Sequence, residues 1–140
     1  MMEAKMDADA LRAFLKRDFP QVGPEFSLDQ VTEEGVIARL AVTEQHLRPG
    51  GTVSGPAMFA LADVAMYLAI LSRLGPVALA VTTNCSIDFM RKPQAGADVS
   101  CHARILKLGR VLAVGDAMIF SAGHDAPVAR ANLTYAIPPK

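Results

Sequence analysis

Tryptophan is absent from the 140-residue sequence, and only two tyrosines and two cysteines are present. Two cysteines cannot build the disulfide framework of a small secreted scaffold, and no Cys and His spacing typical of a metal site occurs. We therefore expect Cys85 and Cys101 to be small buried hydrophobic residues that form no bridge. No metal site is predicted.

An excess of either charge is also absent, since 14 Lys and Arg residues balance 14 Asp and Glu residues. Nucleic-acid-binding domains carry a basic stripe, so no nucleic-acid partner is expected. The N-terminal segment mixes charged and apolar residues, and it lacks the apolar core of at least about seven residues that a signal peptide needs. These absences predict a cytoplasmic protein.

Hydrophobic residues are plentiful: they make up 51% of the chain, and the mean hydropathy is +0.27. A chain of this length buries roughly two thirds of its surface in one core, which predicts a single domain. Neutrality combined with positive hydropathy indicates that a second subunit covers part of the apolar surface. We expect a homo-oligomer.

Residues 1–24 are predicted to form a helical arm, followed by one domain over residues 25–140. Asp7 or Asp9 caps a short helix that Pro20 ends. Three apolar residues share one face of this helix: Leu11, Phe14 and Leu15. Two short strands are then predicted between residues 28 and 42, and a loop with one proline and two glycines covers residues 46–54.

Residues 55–74 carry the strongest helix signal. This segment is rich in Ala, Leu and Met, has no Gly or Pro after Pro56, and is closed by Gly75 and Pro76. Apolar residues occupy nearly every face, as in a helix enclosed by the rest of the fold. Because the segment is short and carries a carboxylate, it is not predicted to span a membrane.

Strands dominate the remainder of the chain. From residue 81 to residue 90 the sequence alternates with a period of two, which predicts a shared face for Val81, Thr83, Cys85, Ile87 and Phe89. Three further strands are predicted over residues 98–106, 111–121 and 128–137. One buried helix with long antiparallel strands is an α+β arrangement in which a curved sheet wraps the helix. Its unpaired edges favour the pairing of two protomers.

Asp63 is the most informative residue, because it lies in the middle of the apolar helix with no Lys or Arg three or four residues away. An unpaired buried carboxylate is costly. Asp63 is therefore either a structural group that hydrogen-bonds a neighbouring loop or subunit, or a catalytic base or nucleophile in a pocket.

The segment Ser54-Gly55-Pro56 stands at the start of the same helix. Ser54 is expected to be the N-cap rather than a catalytic serine, because no His is placed as its base. Gly55 keeps an unpaired N–H that can donate to a carbonyl oxygen gaining negative charge during a reaction. Pro56 has no N–H to offer.

Three segments, HLRPGGTVSGPAMFALADVAMY, VTTNCSIDFMRKPQAGADV and ILKLGRVLAV, resemble hotdog-fold thioesterases of the phenylacetic-acid-pathway type. That family has an Asn before a His-Gly-Gly at the helix start, then an acidic residue, and later a strand that ends in Phe-Leu-Arg-Pro. The resemblance spans residues 25–137. It implies the hotdog fold, hydrolysis of acyl-CoA thioesters, and dimers that pair into tetramers. No cofactor is implied, since coenzyme A is part of the substrate.

Carried over position by position, the resemblance implies that Asp63 attacks the thioester or activates water, and that the Gly55 N–H polarises its carbonyl. It also implies substrate-binding roles for Arg48, Ser54, Tyr67, Thr83, Asn84, Phe89, Met90, Arg91 and Arg110. The family Asn falls on Arg48, the family His on Ser54, and the second glycine on Pro56. Arg48 could pair with Asp63 across a subunit interface, or meet an acidic acyl group or a CoA phosphate.

The sequence leaves three functions open. The first is an acyl-CoA thioesterase whose acyl group enters beside the central helix at a dimer interface. The second is a binding protein without turnover, since Arg48 and Ser54 replace the family Asn and His. The third, a hydratase or dehydratase, needs a helix-proximal His that is not found. Four cations are either solvated or hold the CoA phosphates: Arg91, Lys92, Lys107 and Arg110.

Overall fold

The computed structural model describes residues 3–139. Two α-helices and six strands follow in chain order: α1 Ala8–Asp18, β1 Phe26–Val31, β2 Gly35–Leu40, α2 Gly55–Leu74, β3 Val81–Phe89, β4 Val99–Leu108, β5 Leu112–Ser121 and β6 Ala129–Ala136. Short 3₁₀ turns lie at Pro20–Val22 and Glu44–His46. Each predicted helix and strand is present close to its predicted bounds, and the α+β prediction is confirmed.

All six strands form one antiparallel sheet in the order β1-β2-β4-β5-β6-β3. The sheet wraps α2, which packs mainly on β2, β4 and β5. Within residues 3–139 the outer edge of β3 pairs with no strand. Its free backbone N–H and C=O groups are therefore available to another chain.

Helix α2 runs through the core. The Ser54 hydroxyl accepts a hydrogen bond from the Ala57 N–H at 3.3 Å, which confirms Ser54 as the N-cap. Gly75 ends the helix with a φ of +94°, a conformation that glycine adopts without a steric penalty. By length and composition α2 could cross a membrane, but 72% of the span is buried inside the fold. The helix is the core of the domain.

Helix α1 packs against this core. Asp7 caps it by accepting a hydrogen bond from the Ala10 N–H at 2.8 Å. Leu11 and Phe14 are buried in the main hydrophobic cluster. The arm is therefore part of the folded domain and not a separate appendage.

The predicted faces of β3 are wrong for Val81 and Thr83. The register of β3 against β6 shifts between Thr82 and Asn84. Because of this shift, Thr82 is half-buried on the same side of the strand as Cys85, whereas Thr83 is exposed. A β-bulge inserts one extra residue into a strand and so reverses the alternation on one side of it. Thr82 consequently faces α2, and Thr83 faces away.

Candidate active site

The Asp63 carboxylate is held by two hydroxyl groups, one from β3 and one from β6. Its Oδ1 accepts hydrogen bonds from Thr82 Oγ1 and from the Tyr135 hydroxyl, both at 2.6 Å. The Tyr135 hydroxyl also lies 2.9 Å from the Asp63 backbone oxygen. No residue in the described range 3–139 donates to Oδ2. One carboxylate oxygen is thus fixed, while the other has no donor among these residues.

The Tyr135 phenol is in its protonated form and can therefore donate a hydrogen bond to this carboxylate. It is buried on β6, and burial, followed by the negative charge of Asp63, raises the pKa of its phenol above the ordinary value. The phenol therefore keeps its proton at neutral pH. Sequence reasoning assigned no role to Tyr135 or Thr82. The available signal was a Tyr on the core-facing side of a strand, because a buried Tyr hydroxyl needs a hydrogen-bond partner.

A cavity of about 380 Å³, which we call the Asp63 cavity, opens beside the carboxylate. Its lining is mostly apolar and comes from the arm, α2, the segment before β3, the start of β3, and β6: Phe19, Val22, Val64, Tyr67, Ala78, Leu79, Ala80, Val81, Thr82 and Tyr135. The Tyr67 hydroxyl donates to the Ala78 backbone oxygen at 3.0 Å. Tyr67, predicted to bind substrate, thus shares a cavity with Asp63.

Cys85 lies on the same side of β3 as Thr82 and is close to Asp63. Burial, followed by the charge of Asp63, raises the pKa of its thiol. The thiol therefore stays neutral and is a poor nucleophile. Both cysteines are free, as predicted, although Cys85 is only half-buried. No group of three or more potential metal ligands occurs among residues 3–139.

A second cavity of about 510 Å³, the Gly55 cavity, lies at the N-terminal end of α2. The Gly55 N–H has no acceptor within residues 3–139. A Cβ at this position would lie 3.1 Å from the Phe89 ring, so glycine leaves room for that ring. The lining contains three cations and no carboxylate: Arg48, Arg91 and Lys92.

His46, to which the sequence assigned no role, anchors the loop that carries Arg48. The His46 ring is buried, and its Nδ1 accepts a hydrogen bond from the Thr43 N–H at 2.9 Å. The His46 backbone oxygen accepts from the Ser54 N–H at 2.7 Å, and the Arg48 N–H donates to the Thr52 oxygen at 2.9 Å. These bonds join the loop directly to the start of α2.

Phe89 and Met90, also predicted to bind substrate, line the Gly55 cavity, whereas the predicted residues Thr83, Asn84 and Arg110 line neither cavity. Thr83 donates to the Thr134 backbone oxygen at 3.2 Å, and Asn84 is exposed on the β3 edge. Arg110 lies in the turn between β4 and β5, at the end of the sheet opposite to Arg91. Arg91 lies near the start of β6 and Arg110 near its end, and the rise per residue of a strand puts these two ends roughly 20 Å apart. Lys107 lies beside Arg110, so the four predicted cations form no single cluster within one protomer.

Asp63 and Gly55 are also separated within one protomer. They line different cavities, and eight residues of helix put about 12 Å between them along the axis. A thioester carbonyl is much smaller than this distance. One protomer therefore does not bring both groups to the same carbonyl.

Comparisons with known proteins agree with this fold. The profile of the thioesterase superfamily matches residues 50–128, more than half of the chain. A Pseudomonas aeruginosa protein named as a candidate esterase is 30% identical over 117 residues, which are 84% of this chain and 85% of that protein.

Solved structures give the same result. A candidate thioesterase from Silicibacter sp. TM1040 is 59% identical, with a TM-score of 0.91 over 99% of this chain and 96% of that one. A mutant of the phenylacetic acid degradation protein PaaI from Thermus thermophilus is 28% identical, with a TM-score of 0.71 over 90% of this chain and 99% of that one. The chain belongs to the thioesterase superfamily and has the hotdog fold.

Proposed function

We propose that the protein hydrolyses acyl-CoA thioesters, with Asp63 as the nucleophile or general base. The observation that carries this proposal is the state of the Asp63 carboxylate. Thr82 and Tyr135 hold Oδ1, whereas Oδ2 is free at the edge of an apolar cavity. A carboxylate fixed in this way is oriented for attack on a carbonyl carbon or for proton removal from water.

Two routes use the same groups. In the first, Oδ2 attacks the thioester carbon, the CoA thiolate leaves and takes up a proton, and water hydrolyses the resulting acyl-aspartyl anhydride. In the second, Oδ2 accepts a proton from a water molecule that attacks the same carbon. Both consume one thioester and one water and release the free acid and CoA thiol. In both, the free Gly55 N–H stabilises the oxygen that gains negative charge.

A complete site of this kind combines two protomers. About 12 Å of helix separates Asp63 and Gly55 within one chain. Asp63 of one protomer therefore acts with Gly55 of the partner subunit. The open edge of β3 supports such pairing. A homodimer, or a dimer of such dimers, located in the cytoplasm belongs to the same proposal.

The cations of the Gly55 cavity match the CoA part of the substrate. Arg48, Arg91 and Lys92 share this cavity without a carboxylate in its lining. CoA carries a pyrophosphate and a ribose phosphate, and Arg and Lys bind phosphate oxygens through charge-assisted hydrogen bonds. Among residues 3–139, no cation lines the Asp63 cavity. We therefore assign Arg48 to a CoA phosphate and not to an acidic acyl group.

The direct test is Asp63→Asn, assayed with a panel of acyl-CoA esters. This change keeps the size and hydrogen bonding of the side chain and removes its charge, so kcat should fall by about a hundredfold or more. KM and thermal stability should change little. Asp88→Asn is the matched control, because Asp88 is an exposed partner of Arg130 on the same strand as Thr82. If Asp63→Asn keeps its activity per folded molecule and loses about 1 to 3 kcal/mol of stability, Asp63 is structural.

A non-catalytic acyl-CoA-binding protein is the second candidate. The observation that favours it is that Ser54 stands where the family has His, and its hydroxyl is already engaged as the N-cap of α2. Native mass spectrometry would then detect bound acyl-CoA, while no ester in the panel is hydrolysed above background. A hydratase has less support, because no His lines the Asp63 cavity among residues 3–139.

A further inference from the structure

The N-terminal arm reaches into the Asp63 cavity. Phe19, at the C-terminal end of α1, and Val22, in the turn that follows, line this cavity together with Asp63. Both residues lie outside residues 50–128, which match the superfamily profile. The cavity wall therefore includes a part of the chain that lies outside the segment matched by the profile.

The arm is fixed in place at several points. The backbone N–H groups of Lys5 and Met6 donate to the Ser72 oxygen at 2.6 and 3.2 Å, near the C-terminal end of α2. The Arg12 guanidinium donates to the Leu28 oxygen on β1 at 2.8 Å. With Leu11 and Phe14 also buried, the arm is a wall and not a loose flap.

Phe19 lines the cavity and contacts Tyr67. The two rings meet edge to face, with centroids 5.5 Å apart and planes at 83°. The Tyr67 hydroxyl is anchored on the Ala78 oxygen, so this pair has a fixed geometry. Tyr67 follows Asp63 by one helical turn, or about 6 Å. The free oxygen of Asp63 therefore faces an apolar space that ends one to two turns along α2.

Charge narrows the kind of group that fits this space. Among residues 3–139 no cation lines the cavity. A second carboxylate at the far end of an acyl chain would lose its hydration there without a cation to compensate for it. The acyl group that fits is neutral and apolar.

We infer that the N-terminal arm sets the length of the acyl group, with Phe19 as the residue that limits it. This inference rests on the function proposed above. An extended chain advances roughly 1.2 Å per bond, so an unbranched acyl group of about six to eight carbons, or a single aromatic ring, fills the space between Asp63 and Phe19.

Phe19→Ala tests the inference with acyl-CoA esters from butyryl to dodecanoyl. Phe19 is 36% exposed, so its truncation should leave the core intact, which a thermal melt can verify. The ratio of kcat/KM for dodecanoyl-CoA to that for hexanoyl-CoA should rise by about tenfold. Phe19→Trp thickens the wall and should move the optimum to shorter chains. Phe120→Ala is the control, because Phe120 packs on His102 outside the cavity, and it should leave the profile unchanged.

The outcomes separate the inference from the proposed function. If the wild type hydrolyses no acyl-CoA, the proposed function fails. If it is active and Phe19→Ala retains the wild-type chain-length profile, or loses activity equally on all lengths, the arm is not the limiting wall. Adipoyl-CoA, which adds a carboxylate to a six-carbon chain, should be hydrolysed at least about a hundredfold more slowly than hexanoyl-CoA. Equal rates would contradict the charge part of the inference.

Discussion

The two threonines at the start of β3 differ in what their hydroxyl groups contact, although they are adjacent in sequence. Thr82 donates to Asp63 at 2.6 Å, whereas Thr83 donates to a backbone oxygen of β6 on the exposed side. Adjacent strand residues point to opposite faces, and the register shift at this point decides that Thr82, and not Thr83, faces α2. Thr82 therefore positions the carboxylate, and Thr83 provides a natural control.

Thr82→Val should lower kcat by about tenfold, because one charge-assisted hydrogen bond to the carboxylate is lost. KM should change little, since Oδ1 and not the substrate loses a partner. Steady-state kinetics on one acyl-CoA, with Thr83→Val in parallel, measures this effect. A larger loss of activity in Thr83→Val than in Thr82→Val would contradict the bulge and the positioning role together.

Tyr135 should also make stability depend on alkaline pH. Burial, followed by the charge of Asp63, raises its pKa above the ordinary value of 10.0, so above about pH 10 the folded protein holds a proton that the unfolded chain releases. The free energy of unfolding should therefore fall as pH rises, by up to about 1.4 kcal/mol per pH unit. Urea unfolding between about pH 9 and pH 11 measures this slope.

Tyr135→Phe is the comparison, because it removes the titrating hydroxyl and keeps the ring. Its slope above about pH 10 should be shallower than that of the wild type, even though its stability at neutral pH is lower. Tyr67, whose pKa is raised in the same direction, still titrates in this variant and leaves a residual slope. Identical slopes in the two proteins would mean that Tyr135 does not carry the effect.

At the scale of elements, the loop before α2 and the end of β3 assemble the Gly55 cavity. Arg48 comes from the loop, and Arg91 and Lys92 follow β3 directly. Arg91 donates to the Pro127 oxygen at 2.7 Å, which ties it to the segment before β6. These separate segments converge because Phe89 packs over Gly55 at the start of α2.

Arg48→Glu should raise KM for acyl-CoA by about tenfold, because a phosphate contact becomes a repulsion. For an N-acetylcysteamine thioester, which has the same acyl group but no nucleotide, KM should stay near the wild-type value. Arg39→Glu is the control, since Arg39 is exposed and pairs only with Asp29 among the described residues. An equal rise of KM for both thioesters would show that Arg48 does not recognise the CoA phosphates.

At the scale of the whole molecule, a site shared between protomers predicts complementation. Asp63→Asn and Gly55→Ala should each be inactive alone, the latter because its Cβ would crowd Phe89 and resist helical geometry before Pro56. Once the two are unfolded and refolded together, half of the dimers are mixed, and each mixed dimer has one intact site. The mixture should then recover about a quarter of wild-type activity.

Separately refolded variants mixed without denaturation are the control for subunit exchange. No recovery after joint refolding into stable dimers would place both groups of each site within one protomer. Sedimentation provides the complementary measurement: a well-folded monomer of 14.9 kDa at micromolar concentration would remove the basis of a shared site.

The sequence by itself determined the elements and pointed to one candidate carboxylate. The Ala, Leu and Met content of residues 55–74, between an N-cap Ser and a closing Gly, predicted α2 with its observed bounds. Alternating strands around one all-apolar helix predicted the α+β fold, and a lone carboxylate in that helix identified Asp63. The predictions of α2 and of the fold succeeded because helix propensity, capping and hydrophobic periodicity act between residues close together in the chain, whereas the role of Asp63 stays a prediction.

Only the tertiary structure decided which groups form hydrogen bonds with Asp63. Its partner Tyr135 lies 72 residues further along the chain, and Thr82 reaches it only because strand pairing places a bulge in β3. The separation of Asp63 and Gly55 into two cavities, and of Arg91 and Arg110 to opposite sheet ends, likewise depends on which strands pair. Strand register and the docking of the arm arise from contacts between distant segments, and local periodicity contains no information about such contacts.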